Sequence, residues 1–213
     1  MSDPPLRLLN SMKEGVERRI DALMAQQYGC VSREQANRLA TTGREIAGRV
    51  RRGHWVRVER GVYRAAAAPP HDLAPTMAAM LASGGRASHR TALHLWGLNP
   101  LPGCPEVVGD RASKYAGGAK LYRKDLSFFR PVRRVGIPVL DLAGALLTGA
   151  EVLDREELTD VVALAVSRRL LNPVHVLHGL VRHAGARCLC RRGRRGERAR
   201  TARPQGFARS RRA

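Results

Sequence analysis

The chain has few aromatic residues and no long apolar run, and each shortage excludes a class of protein. Aromatic residues make up 4% of the 213 positions, which argues against a surface that stacks the bases of single-stranded nucleic acid. No stretch reaches the roughly 18 to 20 apolar residues that a membrane-spanning helix needs. Residues 1–20 are charged and lack the apolar centre of a secretory signal. We therefore expect a cytoplasmic protein without a membrane partner.

Cysteine is also scarce, and its spacing does not suit a metal site. The pair Cys188 and Cys190 lacks the usual zinc spacing and has no second ligand pair. The other two cysteines, Cys30 and Cys104, are isolated in the sequence. Free thiols in a reducing compartment explain this pattern, so we predict no metal.

Basic residues, by contrast, are abundant and unevenly placed. The net charge is +20, of which residues 44–64 contribute +5 and residues 182–213 contribute +11. Residues 1–43 and 65–181 together carry only the remaining +4. Two short basic segments on a nearly balanced body suit a polyanionic partner, because each phosphate that is neutralised releases condensed counterions.

Residues 16–64 have the pattern of a winged helix-turn-helix, a DNA-binding module. A first helix presents an apolar face at helical spacing, and Ser32 with Gln35 forms a capping box that begins a second helix, which runs to about Leu39. The apolar face of the first helix consists of Val16, Ile20, Leu23 and Met24.

Thr41 or Thr42 caps a third helix, which Gly53 ends. At 100° per residue, Ile46, Ala47 and Val50 face inward. The outward residues are predicted to be Glu45, Gly48 and Arg52, flanked by Arg44, Arg49 and Arg51. Two strands follow, at residues 55–58 and 62–64, and Gly61 supplies the turn of a wing.

A basic helix in the major groove, with a basic wing beside it, is how such modules contact a duplex. The predicted DNA-binding residues on the third helix and the wing are Thr42, Arg44, Arg49, Arg51, Arg52, His54, Arg57, Arg60 and Arg64. Glu45 either accepts from a cytosine amino group or pairs with Arg49, and we favour the pairing. An ordinary three-helix domain with a solvated basic face is the alternative interpretation.

The rest of the chain predicts a second region and a tail. Residues 1–15 are predicted to be a flexible arm, and residues 71–184 a mixed α+β region. Its predicted helices cover 73–81, 89–96, 140–147, 156–171 and 173–183, and its predicted strands cover 106–108, 120–123, 127–129 and 137–139. Residues 185–213 lose all apolar periodicity and are predicted to be a disordered tail rich in arginine.

No pattern of catalytic residues stands out, so we predict no enzymatic activity and no cofactor. Ser88, His89 and Arg90 are adjacent at a helix start, which predicts that they do not converge, and Ser88 is predicted to cap the helix. Gly117 and Gly118 are not followed by the Lys-Ser/Thr of a phosphate-binding loop.

Several segments resemble AbiEi-family antitoxins. Residues 29–36 (GCVSREQA), 49–58 (RVRRGHWVRV) and 61–64 (GVYR) resemble the N-terminal winged helix-turn-helix of that family. Residues 87–98 (ASHRTALHLWGL) and 136–139 (GIPV) are similar to a second and a weaker third signature. The resemblance implies an α+β protein in which a winged helix-turn-helix at residues 16–66 precedes a mixed α/β antitoxin-like domain.

The resemblance also implies a function. Antitoxins of type IV toxin–antitoxin systems repress their own operon by binding promoter inverted repeats. They counteract a nucleotidyltransferase-like toxin without forming a stable complex with it. Many bacterial relatives of this architecture also carry a C-terminal very-short-patch-repair-like endonuclease domain, whereas here an arginine-rich tail follows and the helix at 140–147 is shorter.

Two other functions stay open from the sequence. The chain could be the remnant of a relative that carries the endonuclease domain, with the tail produced by truncation or a shifted reading frame. It could also be a non-specific nucleic-acid-binding protein that depends on the tail. The oligomeric state, the operator and the toxin are left open.

Overall fold

The computed structural model describes residues 4–109 and 118–171 of the chain. The helices are α1 Pro4–Gln26, α2 Arg33–Arg38, α3 Gly43–Arg51, α4 Ala74–Ser83, α5 His89–Leu95, α6 Leu142–Gly149 and α7 Arg155–Ser167. The strands are β1 Cys30–Ser32, β2 Trp55–Glu59, β3 Val62–Ala65, β4 Arg86–Ala87, β5 Glu106–Gly109, β6 Lys120–Arg123, β7 Pro131–Arg134 and β8 Ile137–Leu140. We call residues 4–65 the winged unit and residues 74–167 the second unit.

The winged unit has the predicted helix-turn-helix and wing, with one change at its start. Helix α1 begins at Pro4, so the prediction of a flexible arm over residues 1–15 is wrong from that residue onward. Ser32 and Gln35 form the predicted capping box of α2, in which Ser32 Oγ accepts from the Gln35 backbone N–H at 3.1 Å. This cap satisfies two amide donors that a helix start otherwise leaves unpaired.

An antiparallel three-stranded sheet in the order β1-β3-β2 completes the winged unit. Strand β3 is central, and Tyr63 lies opposite both Val31 and Arg57. The wing turns at Gly61, which has a φ of +73° that favours glycine. One face of the sheet packs on α1, α2 and α3. The buried core on that face consists of Ile20, Met24, Val31, Ala36, Ile46, Trp55 and Tyr63.

The second unit is built on a mixed five-stranded sheet in the order β6-β5-β4-β8-β7. Predicted strands β5, β6 and β8 and helices α4 to α7 are present with small changes in bounds. The prediction of a strand at 127–129 is wrong, because the Asp125 carboxylate accepts from the Ser127 N–H at 2.9 Å and caps a 3-10 helix, Leu126–Phe128. Strands β4 and β7 were not predicted. The predicted helix at 173–183 and the tail at 185–213 lie outside the described residues.

Helix α4 joins the two units through a shared core. It packs against the second face of the winged sheet, and Cys30 and Val62 of the sheet share one buried cluster with Met77 and Ala78 of α4. A hydrogen bond from the Tyr28 hydroxyl to the Val135 carbonyl adds a second connection. Within residues 4–109 and 118–171, no helix combines the length and apolar character required to cross a bilayer.

Candidate nucleic-acid interface

The N-terminus of α3 is fixed by a reciprocal cap. Thr42 Oγ1 accepts from the Glu45 N–H at 3.3 Å, and the Thr42 N–H donates to the Glu45 carboxylate at 2.7 Å. The Thr42 hydroxyl also donates to the Glu45 carboxylate at 2.9 Å. The two bonds that the Thr42 N–H and hydroxyl donate to this carboxylate hold the pKa of Glu45 below its usual value. Glu45 therefore serves its own helix, and the favoured ion pair with Arg49 is wrong, since Arg49 pairs with Glu17 instead.

The outward face of α3 carries three exposed arginines. Arg44, Arg51 and Arg52 are exposed as predicted. The predicted phase of the helix is wrong at three residues, because Ala47 is exposed while Gly48 and Arg49 are buried. A Cβ on Gly48 would lie 3.2 Å from an Arg52 guanidinium nitrogen, so the Arg52 side chain covers this glycine.

Arg49 faces the core, which corrects its prediction as an exposed DNA-binding residue. Its exposure is only 7%, and its guanidinium lies over the Trp55 ring at 4.9 Å from the ring centroid while pairing with Glu17. The inward stripe is Ile46, Arg49 and Val50, at positions i, i+3 and i+4. A search for apolar residues alone misses Arg49, because a guanidinium packs flat on an aromatic ring.

The wing exposes three of its four predicted residues. His54, Arg57 and Arg60 are exposed, with Arg60 next to the turn at Gly61. Arg57 Nε donates to the Glu59 carbonyl at 3.4 Å, which holds its stem along the hairpin.

Arg64 is the exception on the wing, and its prediction as a DNA-binding residue is not supported by its position. It pairs with Val56 in the register and lies on the sheet face that α4 covers. Its guanidinium donates to the carbonyls of Tyr28, Ala68 and Pro69, so it ties the wing to the connection between the units. A strand residue on the opposite face of the sheet cannot share the surface of Arg57.

The structure thus brings together seven of the nine predicted residues as exposed groups of α3 and the wing. They are Thr42, Arg44, Arg51, Arg52, His54, Arg57 and Arg60. The two acids of this stretch are both engaged, since Glu45 caps α3 and Glu59 accepts from the Gly118 N–H at 3.2 Å. The surface that remains is strongly basic.

Sequence reasoning missed one exposed arginine beside this surface. Arg33 begins α2, its backbone N–H donates to the Gly61 carbonyl at 2.7 Å, and its guanidinium donates to the Tyr63 hydroxyl at 2.9 Å. Helix-turn-helix modules place the helix before the recognition helix across the DNA backbone. The capping box at Ser32 already located Arg33 at a helix start, so that signal was available in the sequence.

The second unit contains a buried polar cluster that differs from the prediction. Ser88 and His89 do converge: within the described residues, Ser88 Oγ contacts His89 Nδ1 at 2.8 Å instead of capping α5. The His89 ring is fully buried, stacks on Tyr122 at 3.6 Å between centroids, and lies 3.8 Å from the Glu151 carboxylate.

Burial lowers the pKa of His89 to about 4, although the negative charge of Glu151 opposes this shift. His89 also has a φ of +49°, which a non-glycine residue adopts only when its surroundings hold it there. Its backbone N–H donates to Thr148 Oγ1 at 3.0 Å. Because Ser88 and His89 have no exposed surface, the pair is closed to any substrate in this conformation. Over the part of the chain that the structure describes, no group of three or more His, Cys, Asp or Glu side chains is placed to hold a metal.

Comparison with known proteins found one family that matches part of the chain. No curated protein matches the chain. A family described as a transcriptional regulator, AbiEi antitoxin, matches residues 18–66, a range that contains α2, α3 and the whole wing. The second signature at residues 87–98 lies beyond that match. Residues 18–66 are therefore similar to the family described as a transcriptional regulator, AbiEi antitoxin.

Proposed function

We propose that this protein is a transcriptional repressor that binds inverted repeats in the promoter of its own type IV toxin–antitoxin operon. The observation that carries the proposal is the exposed basic surface of α3 and the wing, in a segment that matches an antitoxin regulator family. Non-specific attraction to phosphate explains part of such a surface. Its arrangement on a recognition helix and a wing supports contact with a duplex in one orientation.

The recognition helix has suitable dimensions for the major groove. Its nine residues give a length of about 13 Å, and a single helix fits a groove about 12 Å wide. Arg44, Arg51 and Arg52 are in position to reach base edges or phosphates, and arginine can make two parallel bonds to guanine. Arg57 and Arg60 would contact the backbone beside the groove and fix the orientation.

The proposed partners are double-stranded promoter DNA and a nucleotidyltransferase-like toxin. In this proposal the winged unit binds the DNA, and the antagonism towards the toxin does not require a stable complex. Co-purification from cells expressing both proteins should then recover the antitoxin alone, while growth of those cells is restored. A stable complex would contradict this part of the proposal.

A titration of the promoter with charge-removing variants tests the DNA-binding surface. We expect Arg51→Ala combined with Arg52→Ala to weaken binding at least tenfold, which corresponds to about 1.4 kcal/mol. The matched control is Arg123→Ala combined with Arg155→Ala, which removes two exposed charges from the second unit. Fluorescence anisotropy with a labelled promoter fragment measures both.

Two outcomes would contradict the assignment. Equal weakening by both pairs would mean that binding follows net charge and has no defined surface. Unchanged affinity in the Arg51 and Arg52 variant would mean that α3 does not contact DNA.

A further inference from the structure

Five side chains form a continuous connection through the winged unit, which we call the brace. It runs from α1 through α3 and the two wing strands to α2. Each link is a direct contact: an ion pair, a guanidinium over a ring, two rings at 5.9 Å between centroids, and a hydrogen bond of 2.9 Å. In order, the brace consists of Glu17, Arg49, Trp55, Tyr63 and Arg33.

Arg49 is the second residue of the brace, and a buried arginine is unusual at such a position. Its side chain is almost fully buried, and Nη1 is buried with no hydrogen-bond partner among the residues that the structure describes. Burying a charge with an unsatisfied donor destabilises a fold. An apolar side chain of similar volume at the same position often gives equal or greater stability. Stability therefore does not explain why an arginine occupies this position.

Geometry supplies a reason. The guanidinium is planar, and here it is held between the Glu17 carboxylate and the Trp55 ring. Trp55 is the first residue of β2, and Arg49 lies within α3. A planar group fixed on both sides sets one distance between the recognition helix and the wing. A flexible apolar chain would fill the same volume without fixing that distance.

We propose that Arg49 is a positioning residue that sets the spacing between α3 and the wing, and thereby the discrimination between operator and other DNA, without touching DNA itself. This inference rests on the proposed function. A helix that reads bases and a wing that holds the backbone must both match one duplex geometry. Loose spacing weakens the specific complex, whereas non-specific binding depends on phosphate contacts alone.

The experiment measures affinity for a promoter repeat and for a scrambled duplex of equal length, over a series of salt concentrations. Arg49→Met keeps an unbranched stem and removes the charge, and Arg52→Met is the contact control. We expect Arg49→Met to lower the ratio of the two affinities at least fivefold while the salt slope on scrambled DNA stays at the wild-type value. We expect Arg52→Met to lower that slope by about one, because one phosphate contact is lost.

A second pair of variants keeps Arg49 itself intact. Glu17→Gln removes the charge at the α1 end of the brace, and Glu14→Gln makes the same change of charge one turn earlier on α1. We expect Glu17→Gln to lower discrimination in the same direction as Arg49→Met, and Glu14→Gln to leave it unchanged. If Arg49→Met does not fold, this pair of variants still tests the positioning role of Arg49.

Each contrary result has a distinct meaning. A salt slope that falls in Arg49→Met as it does in Arg52→Met would overturn the positioning role, since Arg49 would then contact phosphate. Unchanged discrimination in a less stable Arg49→Met and in Glu17→Gln would reduce the brace to a structural role. A wild-type protein that does not distinguish the two duplexes would overturn the proposed function, and this inference with it.

Discussion

The two units use polar side chains in opposite ways. In the winged unit, charged groups of α3 and the wing are exposed, and seven of the predicted contact residues lie at the surface. In the second unit, polar groups point into the interior and bond to one another. Ser88, His89, Thr91, Glu106 and Thr148 are all buried.

This difference separates two kinds of polar residue that look alike in a sequence. Glu106 is 2% exposed, and its carboxylate accepts from the Arg90 backbone N–H at 2.7 Å. The backbone N–H of Glu106 donates to Thr91 Oγ1 at 2.8 Å. Groups that satisfy each other in this way stabilise a fold, whereas exposed arginines gathered on one surface suit a polyanionic partner. Arg49 is the one predicted contact residue that follows the inward pattern through an ion pair.

Removing the Glu106 carboxylate should have the largest effect on stability. Glu106→Ala leaves the Arg90 N–H without its acceptor and removes buried side-chain contacts, so we expect a loss of about 3 kcal/mol in the free energy of unfolding. Glu156→Ala, which removes an exposed carboxylate from α7, should change it by less than about 0.5 kcal/mol. Urea denaturation measures both. Equal effects would mean that the inward network does not stabilise the second unit.

Lowering the pH should also destabilise the second unit, because His89 becomes protonated. Its folded-state pKa of about 4 lies below the unfolded value of about 6.5, so the unfolded state takes up the proton first. The stability that comes from neutral His89 is present above about pH 6.5 and is lost as pH falls towards 4. Lowering the pH from 7.5 to 5 should remove about 2 kcal/mol of unfolding free energy.

A substitution separates the contribution of His89 to the pH dependence of stability from that of the carboxylates. His89→Gln should lose most of the pH dependence between 7.5 and 5, while His54→Gln, which changes an exposed histidine, should keep it. Urea denaturation at both pH values provides the comparison. A pH dependence that persists in His89→Gln would locate the titrating group elsewhere.

The cap of α3 gives the smallest expected effect. Thr42→Ala removes the acceptor for the Glu45 N–H, and N-cap losses of this kind destabilise by about 1 kcal/mol. Thr42→Ser keeps the hydroxyl and should stay near the wild type. Thermal denaturation followed by circular dichroism checks both. If Thr42→Ala is neutral, the cap does not hold the start of the recognition helix.

Local signals predicted much of the winged unit. The capping box at Ser32 and Gln35, the helix start at Thr41 or Thr42 and the turn at Gly61 each depend on residues close in sequence. The structure contains all three, with Thr42 as the cap. Residues 18–66 match the family that the resemblance named.

The residues that were wrongly predicted depend on contacts far along the chain. Arg49 is turned inward by Glu17, which is 32 positions away, and Arg64 donates to the Tyr28 carbonyl, 36 positions away, as well as to the nearby carbonyls of Ala68 and Pro69. Ser88 and His89 meet because Thr148 and Tyr122 hold the His89 backbone and ring. Strand β4 has two residues, which is too short for any alternation to be visible.

A footprint of the operon promoter tests whether α3 and the wing recognise an operator. The wild-type protein should protect two inverted half-sites, separated by about one turn of the duplex or a multiple of it. The Arg51→Ala and Arg52→Ala double variant should lose both at the same concentration, while the Arg123→Ala and Arg155→Ala control keeps them. Uniform protection along the fragment, or equal protection by the double variant, would contradict the account.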